Sequence, residues 1–259
     1  LPFDPRVALA DSSIILVPTL VDICGLNETL REVLENVAAL TAGLCQAQQK
    51  RGREDAKTSI GITSMGATEA AVIPLVERLK SHGQESTVFH ANGFGGAAFS
   101  RFADRGAFHA IVDLTPHEMT RLHIAGVHAP MPNRFSSGGD LPRVVLPGAL
   151  NFIGLGNKST VPKQYLTRDY YEHSGYFTHI KLSNSEMQAV AKTLAKSLNQ
   201  HRADVTLIVP MGGFSHQDQP NGAIEDKALR RIFLDTVGET LDENVKLLAL
   251  HHHIGASEV

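Results

Sequence analysis

The sequence predicts a doubly wound α/β fold, a mainly parallel sheet with helices on both faces, and three observations predict it. Short apolar, β-branched runs alternate with longer segments of helical period, the pattern of successive βαβ units. Glycine-bearing turns follow several of those runs, where an open parallel sheet passes its chain over the carboxyl rim. At 259 residues the chain can bury a large core, yet no run approaches the ~18–20 apolar residues that a bilayer crossing needs.

The first expected strand is Ile14-Ile15-Leu16-Val17, followed by a helix in which Leu30, Val33, Leu34, Val37 and Leu44 share one face. The polar stretch 46–57 reads as a linker, so a boundary falls between 57 and 58. A strand over 58–63 leads to a helix over 71–79, with Gly83 where a helix C-terminus favours glycine. Strand 86–90, turn 93–96, a short helix over 97–105 and strand 110–113 continue the alternation. Thr115-Pro116-His117-Glu118 has the form of a capping box and opens a helix toward Ala125. Residues 127–141, rich in Pro, Gly and Ser, read as loop, and strand 143–146 ends at Pro147-Gly148-Ala149.

Residues 157–177 form a long connection carrying Tyr165, Tyr170, Tyr171 and Tyr176, a length typical of lids, binding loops and interaction surfaces. Ser183 to Glu186 is a second capping box, and Met187, Val190, Ala191, Leu194, Ala195 and Leu198 make an apolar stripe behind it. Strand 205–209, a loop through Gly222, a helix with Leu229, Ile232, Phe233 and Val237 on one face, and strand 245–250 complete the series. About six strands are expected in all.

Charge narrows the partners. Twenty-four Lys+Arg against 27 Asp+Glu give a net charge of −3 and leave no global positive field for nucleic acid or an anionic membrane. Cys24 and Cys45 lie in apolar surroundings at no metal or redox spacing and read as buried thiols of a reducing, cytoplasmic compartment. Leu1-Pro2-Phe3-Asp4-Pro5 lacks the order of a signal peptide, and a start at Leu1 rather than Met suggests a fragment.

Ligands of open parallel sheets bind beyond the carboxyl ends of strands, so the turns there are the candidate site. Thr63-Ser64-Met65-Gly66, Asn92-Gly93-Phe94-Gly95-Gly96, Pro147-Gly148-Ala149 and Gly212-Gly213-Phe214-Ser215 stand out. Glycine lets backbone approach a ligand, and amides at a following helix N-terminus suit phosphate, although glycine also serves as an ordinary corner. Gly93 to Gly96 matches neither GxGxxG nor the Walker pattern, and no P-loop lysine follows it. Asp113 reads as a ribose or metal ligand, or more simply as a cap for the next helix; Thr115 and Glu118 are explained by capping. His90 and His216 sit in candidate loops. His251-His252-His253 looks like a metal cluster, but alternation along a strand lets at most two reach one ion, so a solvated strand end is the plainer account. No HExxH, CxxC pair or Ser-His-Asp order is present, and the residues by themselves name no reaction.

Read in order, Val21-Asp22-Ile23-Cys24-Gly25-Leu26-Asn27, Gly61-Ile62-Thr63-Ser64-Met65-Gly66-Ala67-Thr68, Phe89-His90-Ala91-Asn92-Gly93-Phe94-Gly95-Gly96, Asp113-Leu114-Thr115, Pro147-Gly148-Ala149-Leu150 and Pro210-Met211-Gly212-Gly213-Phe214-Ser215 resemble one family. It is the ATP-binding family related to the plant tobamovirus-resistance inhibitor, and the likeness runs through essentially the whole chain. The resemblance implies two Rossmann-like lobes. Residues 1–57 would then be a connecting strand and helix from the preceding lobe, and 58–259 the second, nucleotide-binding lobe. It implies ATP, with or without Mg, as ligand, held by Thr63, Gly66, Gly93, Gly95, Gly96, Gly212, Gly213 and Ser215. In plant members it implies direct contact with a viral replication protein. Asn92 and Phe94 replace residues that are commonly threonine in the family, and Gly255-Ala256 replaces the usual Asn-Asp after His253-Ile254. The alternative to nucleotide binding is a non-catalytic interaction module that docks a protein partner or self-associates through the tyrosine-rich loop.

Overall fold

The computed structural model describes residues 14–19, 21–51, 58–126 and 131–259. The chain divides into two compact units, residues 12–57 and the remainder.

In the smaller unit the expected first strand is not formed. Residues 14–19 have no regular structure and Ile14 to Val17 are exposed, because among the described residues no strand pairs with them. Helix α1 (Glu28–Arg51) follows, with the Leu30 amide donating to Asn27 Oδ1 at 2.9 Å as an N-terminal cap. It runs through 46–51, part of the stretch expected to be linker. Cys24 and Cys45 are exposed rather than buried. Apolar sequence neighbours are not the same as cover.

The larger unit runs β1 (Ser59–Ser64), α2 (Glu69–Ser81), β2 (Ser86–His90), α3 (Phe94–Asp104), β3 (Phe108–Asp113), α4 (Glu118–His123) and β4 (Arg143–Val145). It continues with β5 (Phe152–Leu155), β6 (Tyr170–His173), β7 (Phe177–Lys181), α5 (Asn184–Leu198), β8 (Val205–Pro210), α6 (Lys227–Thr240) and β9 (Val245–Leu250). Six strands make an all-parallel sheet in the order β2-β1-β3-β4-β8-β9. The chain winds outward from β1 to β2, then returns to β3 on the other side, so the switch point lies between β1 and β3. Ligands of such sheets bind in the crevice beyond the carboxyl ends there.

Successive residues of the strands divide between two buried layers. Ile60, Ile62, Leu114 and Leu146 meet Val72 of α2 on one face. On the other, Val145, Leu207 and Val209 meet Leu194 of α5 and Phe233 of α6, while Ile111 meets Phe99 and Ala103 of α3. Helices thus cover both faces. Helix α5 begins as expected: Ser183 Oγ accepts from the Glu186 amide and Glu186 Oε2 accepts from the Ser183 amide, at 3.3 and 2.8 Å. Its stripe from Met187 to Leu198 is buried throughout, at about 1.5–3 kcal/mol for each large side chain relative to exposure.

The second sheet is the main departure. Strands β5, β7 and β6 form an antiparallel three-stranded sheet, with β6 inside the long connection expected over 157–177 and β5 and β7 at its two ends. Of the four tyrosines there, Tyr176 alone is strongly exposed, at 74%. It follows the turn made by Ser174 and Gly175, both at positive φ, which joins β6 to β7 as the tight turn of a hairpin.

Candidate functional site

The carboxyl rim of the parallel sheet is drawn together by hydrogen bonds between turns that are far apart in sequence. Thr68, after β1, meets Thr115, after β3, hydroxyl to hydroxyl at 2.7 Å. His117 Nδ1 donates to Ala149 O, after β4, at 2.7 Å, and Ala149 N donates to Phe214 O, after β8, at 2.9 Å. Gly93 N, after β2, donates to Glu118 Oε1 at 3.1 Å. The turn at Gly66–Thr68 packs against that at His216–Asp218. Thr63, Ser64, Gly66, Asn92, Gly93, Gly95, Gly96, Asp113, Gly148, Gly212, Gly213 and Ser215 therefore all lie along one rim.

A buried charge cluster holds the middle of it. Arg134 donates from Nη1 and Nη2 to both oxygens of Asp113, at 2.8 and 2.9 Å, and from Nε to Glu118 Oε2 at 2.9 Å. All three residues are buried. Burial alone would raise the Asp113 carboxyl, but Arg134 and the Thr63 hydroxyl, which donates to Oδ1 at 2.7 Å, hold it below its ordinary value. Asp113 is thus neither a helix cap nor open to a ribose or metal. Every oxygen is engaged by the protein. Thr63 is spent in the same way, since its Oγ1 also accepts from Thr115 N at 2.9 Å.

The capping reading of Thr115 and Glu118 gives way for a related reason. Helix α4 starts at Glu118, with His117 before it and no side-chain cap, because the Thr115 amide and hydroxyl are taken by Thr63 and Thr68. Glu118 turns inward to bridge Gly93 and Arg134 instead.

Most of the glycines are explained by the chain's own close approaches. A Cβ at Gly95 or Gly148 would fall inside the carbonyl of His90 or Leu114. One at Gly96 would strike Glu118, one at Gly212 would lie 2.5 Å from the His253 amide nitrogen, and one at Gly213 would strike Asp218 O. The Gly95 amide donates to Asn92 Oδ1 at 3.2 Å, so with Gly93 N bound to Glu118 the turn after β2 offers a phosphate neither of those donors. Gly66 is different. It is exposed, with nothing within 4 Å of a Cβ placed on it.

Several buried polar atoms at the rim have no hydrogen-bond partner: Ser215 Oγ, His117 Nε2, both side-chain atoms of Asn151 and, in the neighbouring sheet, His179 Nδ1. Native proteins leave few such atoms unpaired, and a bound molecule or water is the usual reason. Burial pushes His117 down to about 3, with Arg121 adding to the effect. It pushes His179 down to about 4, reinforced by His173. Both imidazoles are therefore neutral at pH 7. Phe152 lies between them, its ring centroid 4.7 Å from His117 and 4.1 Å from His179.

Among the described residues no group of three His, Cys, Asp or Glu side chains is placed to hold a metal. In the triple-histidine segment His251 and His252 are exposed, and His253 Nε2 bonds to Ser215 O at 2.9 Å.

Comparison with known proteins now supplies the family. The profile of the Uncharacterised protein family (UPF0261) C-terminal domain matches residues 57–259. The chain belongs to the UPF0261 family. A UPF0261 protein of Clostridium tetani is 30% identical over 98% of this chain and 64% of its own length. A UPF0261 protein of Mesorhizobium japonicum is 32% identical over 93% of this chain and 61% of its own. The ToMV resistance protein Tm-1(GCR237) of Solanum lycopersicum is 29% identical over 96% and 34%. The UPF0261 chain thus spans less than two thirds of these relatives and about a third of the tomato protein. The tomato match bears out the resemblance carried by the six turns.

Arg134, His117, Arg121, Asn151 and His179 were absent from the sequence-derived site, and Glu118 was set aside as a cap. Only the crowding of Thr, His and Glu directly after a strand end could have drawn attention to His117 and Glu118. The partners of Arg134 lie 16 and 21 residues away, with no local pattern to mark them.

Proposed function

We propose that the carboxyl rim of this UPF0261 domain binds a phosphate-bearing small molecule, with ATP the first to test, as part of an enzyme acting on a phosphorylated substrate. The observation that carries the reading is the convergence of turns from five strands of one sheet around Ser215, Asn151 and His117, each of which buries at least one polar atom without a partner. Gly66 supplies open backbone leading into α2, whose N-terminus favours an anion. Arg121 supplies the positive side of the site, since the His117 and His179 rings beside it are neutral at pH 7. A magnesium ion would be held by phosphate oxygens and water, the usual mode for this cation, since Asp113 is committed to Arg134.

Calorimetry of Mg-ATP against this chain tests the reading. Saturable binding that weakens several-fold in Gly66→Ala is expected. No heat and no thermal shift at millimolar nucleotide would refute it.

One observation favours a second reading, a protein-contact role. A groove of about 620 Å³ on the α2 face is lined by Leu75, Val112, Val144, Leu146 and Ile208, and the tomato relative is a virus-resistance protein. A concentration-dependent dimer in sedimentation that disappears in Val144→Asp would support it. A monomer at all concentrations would set self-association aside.

A further inference from the structure

A cleft lies at the opposite end of the parallel sheet from the rim, where the chain enters β4 and β8. It measures about 440 Å³, within the roughly 300–1,000 Å³ of small-molecule sites. Its walls are the last turn of α3 at Asp104, the loop from Ser136 through Gly139 to Asp140, and the segment after α5 that carries His201 and Arg202.

His201 gives this cleft its chemistry. The residue is only 4% exposed. Its Nε2 lies 3.1 Å from Phe135 O; a carbonyl accepts, so Nε2 carries the proton and Nδ1 of the neutral ring is an acceptor. Burial and the nearby Arg143 guanidinium push the ring down to about 4, which keeps it neutral at pH 7. Among the described residues no donor reaches Nδ1. Nδ1 and Ser136 O both approach the side-chain side of Gly139, each 3.5 Å from where a Cβ would stand. Two acceptors thus sit together in the wall of the cleft.

The charges around them point the same way. Asp104 is exposed, and its Oδ1 accepts from Gly138 N at 3.1 Å. Asp140 and Arg202 form a bidentate pair, both contacts at 2.5 Å, so Asp104 is the wall carboxylate that no cation of the wall offsets. Arg143, behind the wall, donates to Ser137 O and Gly138 O and is countered by Asp113. Helices α3 and α5 both end at this cleft, and helix C-termini favour a cation. A carboxylate or phosphate would set acceptor against acceptor here. A group that both donates hydrogen and carries positive charge meets every one of these features.

We propose that this cleft binds a small molecule through a protonated primary amine, whose N–H groups donate to His201 Nδ1 and Ser136 O while Asp104 supplies the counter-charge. The site is separate from the carboxyl rim and does not depend on what the rim binds.

The experiment is titration of the labelled chain, followed by amide and ¹⁵N imidazole shifts, with n-propylammonium, n-propanol and tetramethylammonium as probes. The amine should bind saturably and move His201 Nδ1 together with the Gly139 and Arg202 amides. It should bind at least roughly tenfold more tightly than the alcohol, since a charged donor makes a hydrogen bond about twice as strong as a neutral one. Tetramethylammonium carries the charge without a donor and should leave Nδ1 unmoved. Asp104→Asn keeps an oxygen for the Gly138 amide and should weaken the amine roughly two- to fivefold. Gly139→Ala places its methyl in ordinary contact beside both acceptors and should abolish the Nδ1 response. Equal binding of amine and alcohol, equal binding of amine and tetramethylammonium, an Nδ1 resonance unmoved at saturation, or no saturable binding of the amine would each overturn the proposal. The wild-type titrations decide the matter even if a variant does not fold.

Discussion

Replacing Arg134 by Met should be among the most damaging single changes in the larger unit. The substitution keeps most of the side-chain volume but removes the guanidinium that neutralises Asp113 and Glu118, both buried. Breaking a buried pair from one side costs about 3–5 kcal/mol, because the remaining charge has no solvent to turn to. For a unit of this size about 2–4 °C of melting temperature follows each kcal/mol, so a drop of about 6–20 °C is expected. The pH dependence should change as well. In the wild type Asp113 is held below its ordinary 3.8, so its stabilisation is present above that value and lost as pH falls through the folded one. In Arg134→Met the same carboxyl keeps only the weaker pull of Arg143 and its pKa rises, so the variant should gain stability relative to wild type as pH falls from 7 to 5. Urea denaturation at the two pH values measures both effects. A loss under about 1 kcal/mol at pH 7, or parallel pH trends, would show that the cluster is not the clamp described here.

Gly95→Ala should destabilise strongly, because its methyl would fall inside the His90 carbonyl, whereas Gly66→Ala should change stability by less than about 0.5 kcal/mol and act on ligand affinity alone. Thermal melts of the two variants side by side check the contrast. His117 and His179 are pushed down to about 3 and about 4, so the unfolded chain binds more protons than the folded one from near pH 6.5 down to those values. Stability should fall with pH across that window by up to about 1.4 kcal/mol per pH unit for each ring, and His117→Gln should flatten the slope in a pH series of urea midpoints. Ser183→Ala removes the cap of α5 and should cost about 1 kcal/mol, read from the same denaturation curves.

What the sequence displays and what it hides follow from the range of the interactions. The α5 stripe and its Ser183–Glu186 cap are local patterns, and they are found where the pattern places them. The alternation that announces the parallel sheet is likewise local, run by run. The β5–β7–β6 sheet escapes because its strands are four or five residues long, with β5 interrupted by Gly154 and β6 and β7 rich in Tyr, His, Glu and Thr; their packing partners, not their own pattern, make them strands. Thr115 to Glu118 misleads because a four-residue motif says nothing of Thr63, Thr68 and Arg134, which compete for the same groups and win. The glycines mark the rim correctly, yet most do so because backbone meets backbone there. The polar atoms that give the rim its chemistry belong to residues whose roles exist only once the turns after β3, β4 and β8 meet.

The most direct measurement is amide and imidazole chemical-shift mapping of the labelled chain during titration with Mg-ATP. The account predicts that the perturbed residues cluster at Gly66–Thr68, Thr115–Arg121, Ala149–Gly154 and Phe214–Ser215, together with His179. Perturbations confined to the α2-face groove, or spread over the surface without saturation, would contradict it.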